Sequence, residues 1–232
     1  HLGQRTNTGD TEGEVIERKE VNVSIEQIQR VLTQFRGDIM QVPPMYSALK
    51  RDGKALYEYA REGITLEREA RPVTIHLLEF VNYEAPFLTL NVRCSKGTYI
   101  RVLGEDIGAA LGCGAHLNAL RRTHVGHLVL ENTVTLDDLI AMEESQRLQL
   151  LAPVDALLSS FPALVLTSEL ARRFLQGQRI PLGKEGLSYP QQLGRVRVYV
   201  DDEHGMRQLL GSAQLQEYGI LAPERLISTQ NK

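Results

Sequence analysis

The sequence is short of the residues that mark several protein classes. It has no tryptophan, only two cysteines (Cys94 and Cys113) without a CxxC spacing, and no uninterrupted apolar run of eighteen residues. So few cysteines exclude a disulfide framework and favour a reducing compartment, which we expect to be the cytoplasm. The short apolar runs predict no membrane-spanning helix.

An excess of charge of one sign is also missing. The 232 residues carry 26 basic and 29 acidic side chains, which gives a formal net charge of -3. This balance excludes a globally basic nucleic-acid binder but allows a local basic patch, because binding follows the local potential. A hydrophobic content of 42% is enough for one sizeable core, or for one core and a small second domain.

The first half of the sequence predicts mixed α and β structure. The segment "SIEQIQRVLTQFRG" is a helix with a capping box of Ser24 and Gln27, and residues 73–80 and 87–95 form a β-hairpin. We expect "GTYIRVL" to continue as a strand and "CGAHLNALRR" to be helical. A further helix is predicted from Thr135 to about residue 151.

The composition changes at residues 153–162, where prolines interrupt the pattern. A short helix, "SELARRFLQG", follows, and then an alternating strand over 195–200. The segments "MRQLLGSAQL" and "ERLIS" are expected to form two more strands. The sequence therefore predicts a small β-rich domain at the end of the chain.

The octapeptide "CSKGTYIR" contains a tyrosine and an arginine whose binding partner has to be identified. Since strand side chains alternate between faces, Tyr99 and Arg101 are expected to point the same way. An arginine beside a tyrosine calls for an acidic group or a nucleic acid. Asp10, Glu105 and Asp106 are the acidic candidates within the chain, and none of them stands out.

The segment "MYSALKRDGKALYEYAREG" interleaves cations with tyrosines, a pattern typical of RNA binding. Its acidic residues nearly balance the charge, so composition alone favours an amphipathic surface helix.

Two other kinds of site have little support. Cys94 and Cys113 lie in no nucleophile motif, and His124 and His127 lack further ligands at zinc spacing.

Several segments together resemble one family, the TruB-type tRNA pseudouridine synthases. The resemblance runs through the whole chain in the same order and rests on "LGQRTNTGDTEG", "FRGDIMQVPPMYSALKRDGKALYEYAREG", "REARPVTI", "CSKGTYIRVLGEDIGAALGCGAHLNALRR" and "LAPERLI". It implies isomerisation of uridine to pseudouridine in the T-loop of tRNA, at position 55, without a cofactor or metal. The expected partner is the T-arm of tRNA, bound by a cytoplasmic monomer.

The resemblance also implies an α+β fold. A mixed-sheet catalytic domain over residues 1–155 would include an RNA-closing insertion at about 43–71. A small β-rich PUA-like RNA-binding domain would occupy residues 160–232. Arg101 and Tyr99 are the expected catalytic residues: Arg101 would ion-pair with the catalytic aspartate, and Tyr99 would pack on the target base. The substrate-binding residues expected are Tyr99, Leu120, Asp10, Lys50, Lys54, Arg121 and Arg122.

The chain departs from the family pattern in one respect. The family's catalytic aspartate lies in a Gly-Ala-Leu-Asp-Pro type of motif, which this sequence lacks, as it lacks a second active-site tyrosine. With the first methionine only at Met40, we expect both to lie upstream of His1 and the fragment alone to be inactive. Two alternatives stay open: a non-catalytic RNA-binding protein on the same scaffold, and a thiol hydrolase that uses Cys94 or Cys113.

Overall fold

The computed structural model describes residues 1–202 and 204–227. The chain forms two compact units, His1–Arg121 and Arg122–Lys232, which are described separately. No described helix has the length and apolar character needed to cross a membrane.

The first unit combines three small antiparallel sheets with three helices. Strand β3 pairs with β6, and β6 pairs with β7 in the long hairpin that the sequence predicted. Strands β1 and β2 form a separate pair, as do β4 and β5. The elements are β1 (Gln4–Thr6), β2 (Val15–Arg18), α1 (Ile25–Thr33), β3 (Gly37–Gln41), β4 (Lys50–Arg51), β5 (Lys54–Ala55), α2 (Leu56–Arg61), β6 (Arg71–Glu84), β7 (Phe87–Cys94) and α3 (Ile100–Ala110).

Helix α1 shows how the sequence specifies this unit. The Ser24 side chain accepts from the Gln27 backbone N–H while the Gln27 side chain accepts from the Ser24 N–H, so the predicted capping box is confirmed. Ile28 and Leu32, one turn apart, are completely buried. They join a core with residues of the hairpin and α3, namely Ile75, Leu78, Leu103 and Ile107.

Two predictions for this unit are wrong. The segment after β7 does not continue as a strand, because it turns at Gly97, whose φ is +85°, and α3 begins at Ile100. The segment "CGAHLNALRR" is not helical. Residues 115 and 117 instead form isolated β-bridges to residues 2 and 10, and backbone pairing across the chain replaces the local hydrogen bonds of a helix.

The second unit is built on a five-stranded mixed sheet in the order β10-β12-β13-β14-β11. Only β10 pairs in parallel, with β12, while the other pairs are antiparallel. Phe174 of α6 is fully buried in a core with strand residues that include Val198 and Leu221. The elements are β8 (His124–Val125), β9 (Leu128–Val129), α4 (Leu136–Ala141), α5 (Glu144–Gln149), β10 (Ala163–Leu166), α6 (Ser168–Leu175), β11 (Ile180–Pro181), β12 (Gly194–Asp201), β13 (Arg207–Gln216) and β14 (Ile220–Leu226).

The predicted β-rich character of this unit is confirmed, with some boundaries changed. The single helix expected over 135–151 is two short helices separated at Met142, where the backbone is extended. The strand expected over "ERLIS" is part of β14, which ends at Leu226, and its predicted end at Ser228 lies outside the described residues. The predicted domain boundary at 155–160 stays a prediction, as do the domain's last residues.

Candidate functional site

Arg101 lies in the first turn of α3, and three groups from distant parts of the first unit surround its guanidinium. Its Nη1 donates to Asp10 Oδ2 at 2.9 Å and to the Thr8 carbonyl at 3.3 Å. Its Nη2 donates to the Tyr46 carbonyl at 2.8 Å. Arg101 therefore joins the loop after β1 to the segment between β3 and β4.

Hydrogen bonds within its own loop orient the Asp10 carboxylate for this ion pair. Its Oδ1 accepts from the Thr8 hydroxyl at 2.6 Å and from the Glu12 backbone N–H at 3.2 Å. The Thr6 hydroxyl donates to the Asp10 carbonyl at 2.7 Å, and Leu117 pairs with the backbone of this loop. These bonds leave Oδ2 directed at Arg101. Of the three acidic candidates that the sequence offered, Asp10 forms the pair.

The pKa values of the neighbouring carboxyls Asp10 and Glu105 are shifted in opposite directions. Burial opposes ionisation of Asp10, but hydrogen bonds from Thr8, Arg101 and the Glu12 amide outweigh it, so the pKa of Asp10 lies below its ordinary 3.8. Burial raises the pKa of Glu105 above its ordinary value, and the nearby cations Arg5 and Arg101 only partly offset this. Of these two carboxyls, Asp10 is the one whose ionised form the surroundings favour.

Tyr99 is the N-cap residue of α3, and its backbone is held from both sides. Its N–H donates to Gln41 Oε1 at 2.8 Å, and its carbonyl accepts from Gln41 Nε2 at 3.1 Å. Gln41 is only 2% exposed. The expectation that Tyr99 and Arg101 share a strand face fails because α3 starts between them, yet both lie at the same helix N-terminus.

The two predicted phosphate-binding lysines lie on the β4–β5 hairpin but differ in their surroundings. Lys54 forms an ion pair with Glu62, which raises the pKa of Lys54, and its Nζ lies 4.6 Å from the centre of the Tyr59 ring. Lys50 is exposed, and no described acidic residue forms an ion pair with it. Lys50 is thus the cation of this pair that remains available to a phosphate.

The other three predicted substrate residues, Leu120, Arg121 and Arg122, lie consecutively in a loop that follows Leu117. All three are exposed, and the Leu120 side chain is 64% accessible. Among the described residues none of them bonds to Arg101. The structure therefore brings Asp10 and Arg101 together, with Tyr99 beside them, and no hydrogen bond among the described residues joins this loop or the lysines to Arg101.

Three residues in the cluster were missed from the sequence: Thr8, Gln41 and Tyr46. Thr8 lies two residues before Asp10, a spacing that allows side-chain bonding within a turn and gave a usable signal. Tyr46 contributes a carbonyl, and Gln41 bonds to a residue 58 positions away. Neither role has a local sequence signal.

The cluster offers a fixed cation, an ionised carboxylate and a clamped tyrosine. No group of three or more His, Cys, Asp or Glu side chains in the described part of the chain is arranged to hold a metal ion. Cys113 is buried and Cys94 half-buried. The arrangement suits binding of a polar substrate and stabilisation of an anionic group beside Arg101.

Three family descriptions match successive parts of the chain. Residues 1–100 match "TruB family pseudouridylate synthase (N terminal domain)" and residues 101–159 match "tRNA pseudouridylate synthase B C-terminal domain". Residues 162–227 match "Pseudouridine synthase II TruB, C-terminal". The last two matches meet at the point where the sequence composition changes.

Curated relatives are similar over nearly the whole chain. The proteins named tRNA pseudouridine synthase B from Burkholderia mallei and Burkholderia pseudomallei are 56% identical over 230 residues, which cover 98% of this chain and 74% of each relative. The protein of the same name from Ralstonia nicotianae is 55% identical and is covered to 72%.

Solved structures support the fold. A chain from the crystal structure of a Cbf5-Nop10-Gar1 complex superposes with a TM-score of 0.65 at 23% identity, covering 89% of this chain and 63% of that chain. An H/ACA RNP bound to a substrate RNA containing 2'-deoxyuridine gives a TM-score of 0.62 at 21% identity. The present chain spans less than two thirds of these structures' chains. The predicted α+β fold with a small C-terminal β-rich domain is confirmed.

Proposed function

The chain belongs to the TruB family of pseudouridine synthases, and we propose that its full-length protein converts uridine to pseudouridine in the T-loop of tRNA, at position 55. The names of the curated relatives support a tRNA substrate. The reaction breaks the N-glycosidic bond, turns the uracil and joins C5 to the ribose, which releases the proton of C5 and needs no external reactant.

The single observation that carries the proposal is the cluster around Arg101. Its guanidinium has five N–H donors, and the contacts to Asp10, Thr8 and Tyr46 engage only Nη1 and Nη2. The Nε–H and one Nη2–H have no acceptor among the described residues. This edge can receive a second carboxylate, which we assign to the catalytic aspartate expected upstream of His1.

In this scheme Asp10 is a positioning residue. It holds Nη1 and leaves the opposite edge of the Arg101 guanidinium for the nucleophile, whose ionised form the cation favours by lowering its pKa. Tyr99 contacts the target base. The two hydrogen bonds between the Gln41 side chain and the Tyr99 backbone fix the backbone position from which the tyrosine side chain extends. Leu120 forms an apolar wall for the uracil. Lys50, Lys54, Arg121 and Arg122 bind phosphates.

The test is tritium release from tRNA labelled at C5 of uridine. We expect release by the full-length protein, none when the uridine at position 55 is replaced by cytidine, and none by the 232-residue chain. Arg101→Lys keeps the charge but loses the planar fork, so kcat should fall about 100-fold. The matched control is Arg30→Lys on the exposed side of α1, which should leave kcat unchanged.

Two results would contradict parts of this proposal. A normal rate of release by the 232-residue chain would show that the nucleophile is not upstream. Tight binding of tRNA by the full-length protein without any release of tritium would favour the alternative of a non-catalytic RNA-binding protein. The thiol-hydrolase alternative is removed if the activity of the full-length protein survives alkylation of Cys94 and Cys113.

A further inference from the structure

Thr8 contacts both partners of the Arg101–Asp10 ion pair, through two different groups. Its hydroxyl donates to Asp10 Oδ1 at 2.6 Å, and its backbone carbonyl accepts from Arg101 Nη1 at 3.3 Å. The same Nη1 donates to the other oxygen of the Asp10 carboxylate, Oδ2, at 2.9 Å. The three contacts form a closed ring, so one residue holds both the carboxylate and the guanidinium of the pair.

The Thr8 side chain is enclosed by the far side of its own loop. A Cβ atom at Gly13 would lie 2.2 Å from Thr8 Oγ1 and 2.9 Å from the Thr8 backbone nitrogen, so a residue larger than glycine cannot stand there without a shift of the loop. The Gly13 N–H donates to the Asp10 carbonyl at 3.4 Å. One residue further on, the Glu14 N–H donates to Asn7 Oδ1 at 3.1 Å. The loop therefore closes tightly on Thr8 and restricts its side chain.

The residue after Thr8 lies directly against α3. Gly9 has a φ of +76°, and a Cβ atom there would be 3.5 Å from the Arg101 Cβ and 3.1 Å from Glu105 Oε2. The Gly9 carbonyl accepts from the Leu117 N–H at 2.9 Å. Contacts with α3 and with Leu117 thus hold this part of the backbone, and with it the Thr8 carbonyl, in place beside the Arg101 guanidinium.

The Thr8 hydroxyl supplies what the loop backbone cannot. Rotation of a carboxylate about its Cβ–Cγ bond has only broad preferences, so the position of the Asp10 backbone does not decide which oxygen faces Arg101. The Thr8 bond at 2.6 Å is shorter than the other bond to Oδ1, which comes from the Glu12 N–H at 3.2 Å. Burial raises the pKa of Asp10, and the Thr8 hydrogen bond is the largest of the opposing contributions that bring it below its ordinary 3.8. The hydroxyl is therefore the main point at which the loop fixes this carboxylate.

We propose that Thr8 is a positioning residue of the active site, whose hydroxyl and carbonyl together set the direction of the free edge of the Arg101 guanidinium. This inference rests on the proposed function, because that edge is where the catalytic aspartate is expected. Thr8 exchanges no proton with the substrate and acts only through Asp10 and Arg101. It therefore affects the chemical step and leaves the binding of tRNA unchanged.

The experiment compares two substitutions of Thr8 in the full-length protein, by tritium release from tRNA labelled at C5 of uridine. Thr8→Val keeps the branched shape and removes the hydroxyl, whereas Thr8→Ser keeps the hydroxyl and removes the methyl group. We expect Thr8→Val to lower kcat about tenfold with an unchanged KM for tRNA, and Thr8→Ser to stay within about twofold of the wild type. The matched control is Thr33→Val, which should leave kcat unchanged, because Thr33 lies on the exposed side of α1 and its hydroxyl donates to the Arg30 carbonyl at 2.7 Å.

The pH dependence of kcat distinguishes positioning of the carboxylate from a general loss of stability. Without the Thr8 hydroxyl the pKa of Asp10 rises, so Asp10 becomes protonated at a higher pH. The acidic fall of kcat should therefore occur at a higher pH in Thr8→Val and at the wild-type pH in Thr8→Ser. The other charged side chains of the cluster are the same in both variants: Arg5, Arg101, Glu105 and Asp106.

Several results would overturn the inference. A wild-type kcat or an unshifted acidic fall in Thr8→Val would show that the hydroxyl does not position the pair. An equal loss in Thr8→Ser would assign the effect to the methyl group, and a rise in KM alone would assign Thr8 to RNA binding. Urea unfolding checks that the variants are folded, and Thr8→Ala takes the place of a valine variant that is not. No release by the wild-type protein would refute the proposed function, whereas normal release by the wild type and Thr8→Val alike refutes only the role of Thr8.

Discussion

Asp10→Asn isolates the charge of the carboxylate that faces Arg101. The asparagine carbonyl can keep the hydrogen bonds from the Thr8 hydroxyl and the Glu12 amide, since both reach the same oxygen. The other oxygen, which accepts from Arg101 Nη1 at 2.9 Å, becomes an NH2 group that cannot accept. The substitution therefore removes the ion pair and leaves the loop's own bonds in place.

The expected loss of stability follows from the burial of the pair. Hydrogen bonds to charged groups contribute about 1.5–3 kcal/mol, whereas fully exposed ion pairs contribute about 0.2–1 kcal/mol. The Arg101 and Asp10 side chains are 28% and 24% exposed, between these cases. The Thr8 and Tyr46 carbonyls still accept from the arginine. We expect Asp10→Asn to lower the free energy of unfolding of the first unit by about 1–2 kcal/mol.

The effect should depend on pH in one direction. The pKa of Asp10 in the folded protein lies below its ordinary value of 3.8, so folding favours the ionised form. The stabilisation is therefore fully present above pH 3.8 and is lost as the pH falls through the lower folded pKa. The difference between the wild type and Asp10→Asn should shrink on acidification.

Urea unfolding followed by circular dichroism, with the two units fitted as separate transitions, measures this difference at neutral and acidic pH. Glu14→Gln is the matched control, because Glu14 lies in the same loop and no described residue forms an ion pair with its side chain. The control should change stability little at either pH. A stability loss for Asp10→Asn that stays the same on acidification would refute the assigned role of the ion pair.

Three other predictions concern the clamp, the RNA-binding cations and the core. Gln41→Ala leaves the Tyr99 N–H unpaired and removes one of the two hydrogen bonds that the Tyr99 carbonyl accepts, the other coming from the Leu103 N–H, so it should lower the free energy of unfolding by about 1–3 kcal/mol and reduce tritium release by the full-length protein. Lys50→Ala should reduce the slope of log K for tRNA binding against log salt concentration, measured by filter retention, by about one. Lys54→Ala should reduce this slope by less, because Glu62 already neutralises Lys54. Phe174→Ala should destabilise the second unit by about 3–5 kcal/mol in calorimetry, since the side chain is fully buried.

These three predictions can each fail in a distinct way. Unchanged activity and stability in Gln41→Ala would show that the tyrosine backbone is not held by this clamp. Equal salt slopes for the two lysine variants would mean that the Lys54–Glu62 pair opens when RNA binds. A small change for Phe174→Ala would mean that the core of the second unit tolerates a large cavity.

Elements with local signals were predicted well. The Ser24–Gln27 box placed the start of α1, and alternating apolar residues placed the hairpin of β6 and β7. In both cases the information lies within a few residues, because caps and side-chain alternation act over one turn or one pleat. The family resemblance extended this to the fold class and to Arg101 and Tyr99 as candidates.

Elements held by distant partners were not predicted. Residues 113–122 were predicted to be a helix, but pairing with the first residues of the chain holds them in an irregular, bridged conformation. Tyr99 and Arg101 were placed on a strand, whereas α3 starts between them. Propensity is a weak prior that tertiary contacts routinely override, so such segments need the structure.

The sequence by itself determined the family, the α+β class and Arg101 as a cation that needs a carboxylate partner. It could not choose among Asp10, Glu105 and Asp106, because all three lie close enough in the chain or in the expected cleft to serve. Only the tertiary structure decided for Asp10, whose loop bonds turn one oxygen toward Arg101 across 91 residues. Hydrogen bonding depends on direction as well as proximity, and direction is set by the fold.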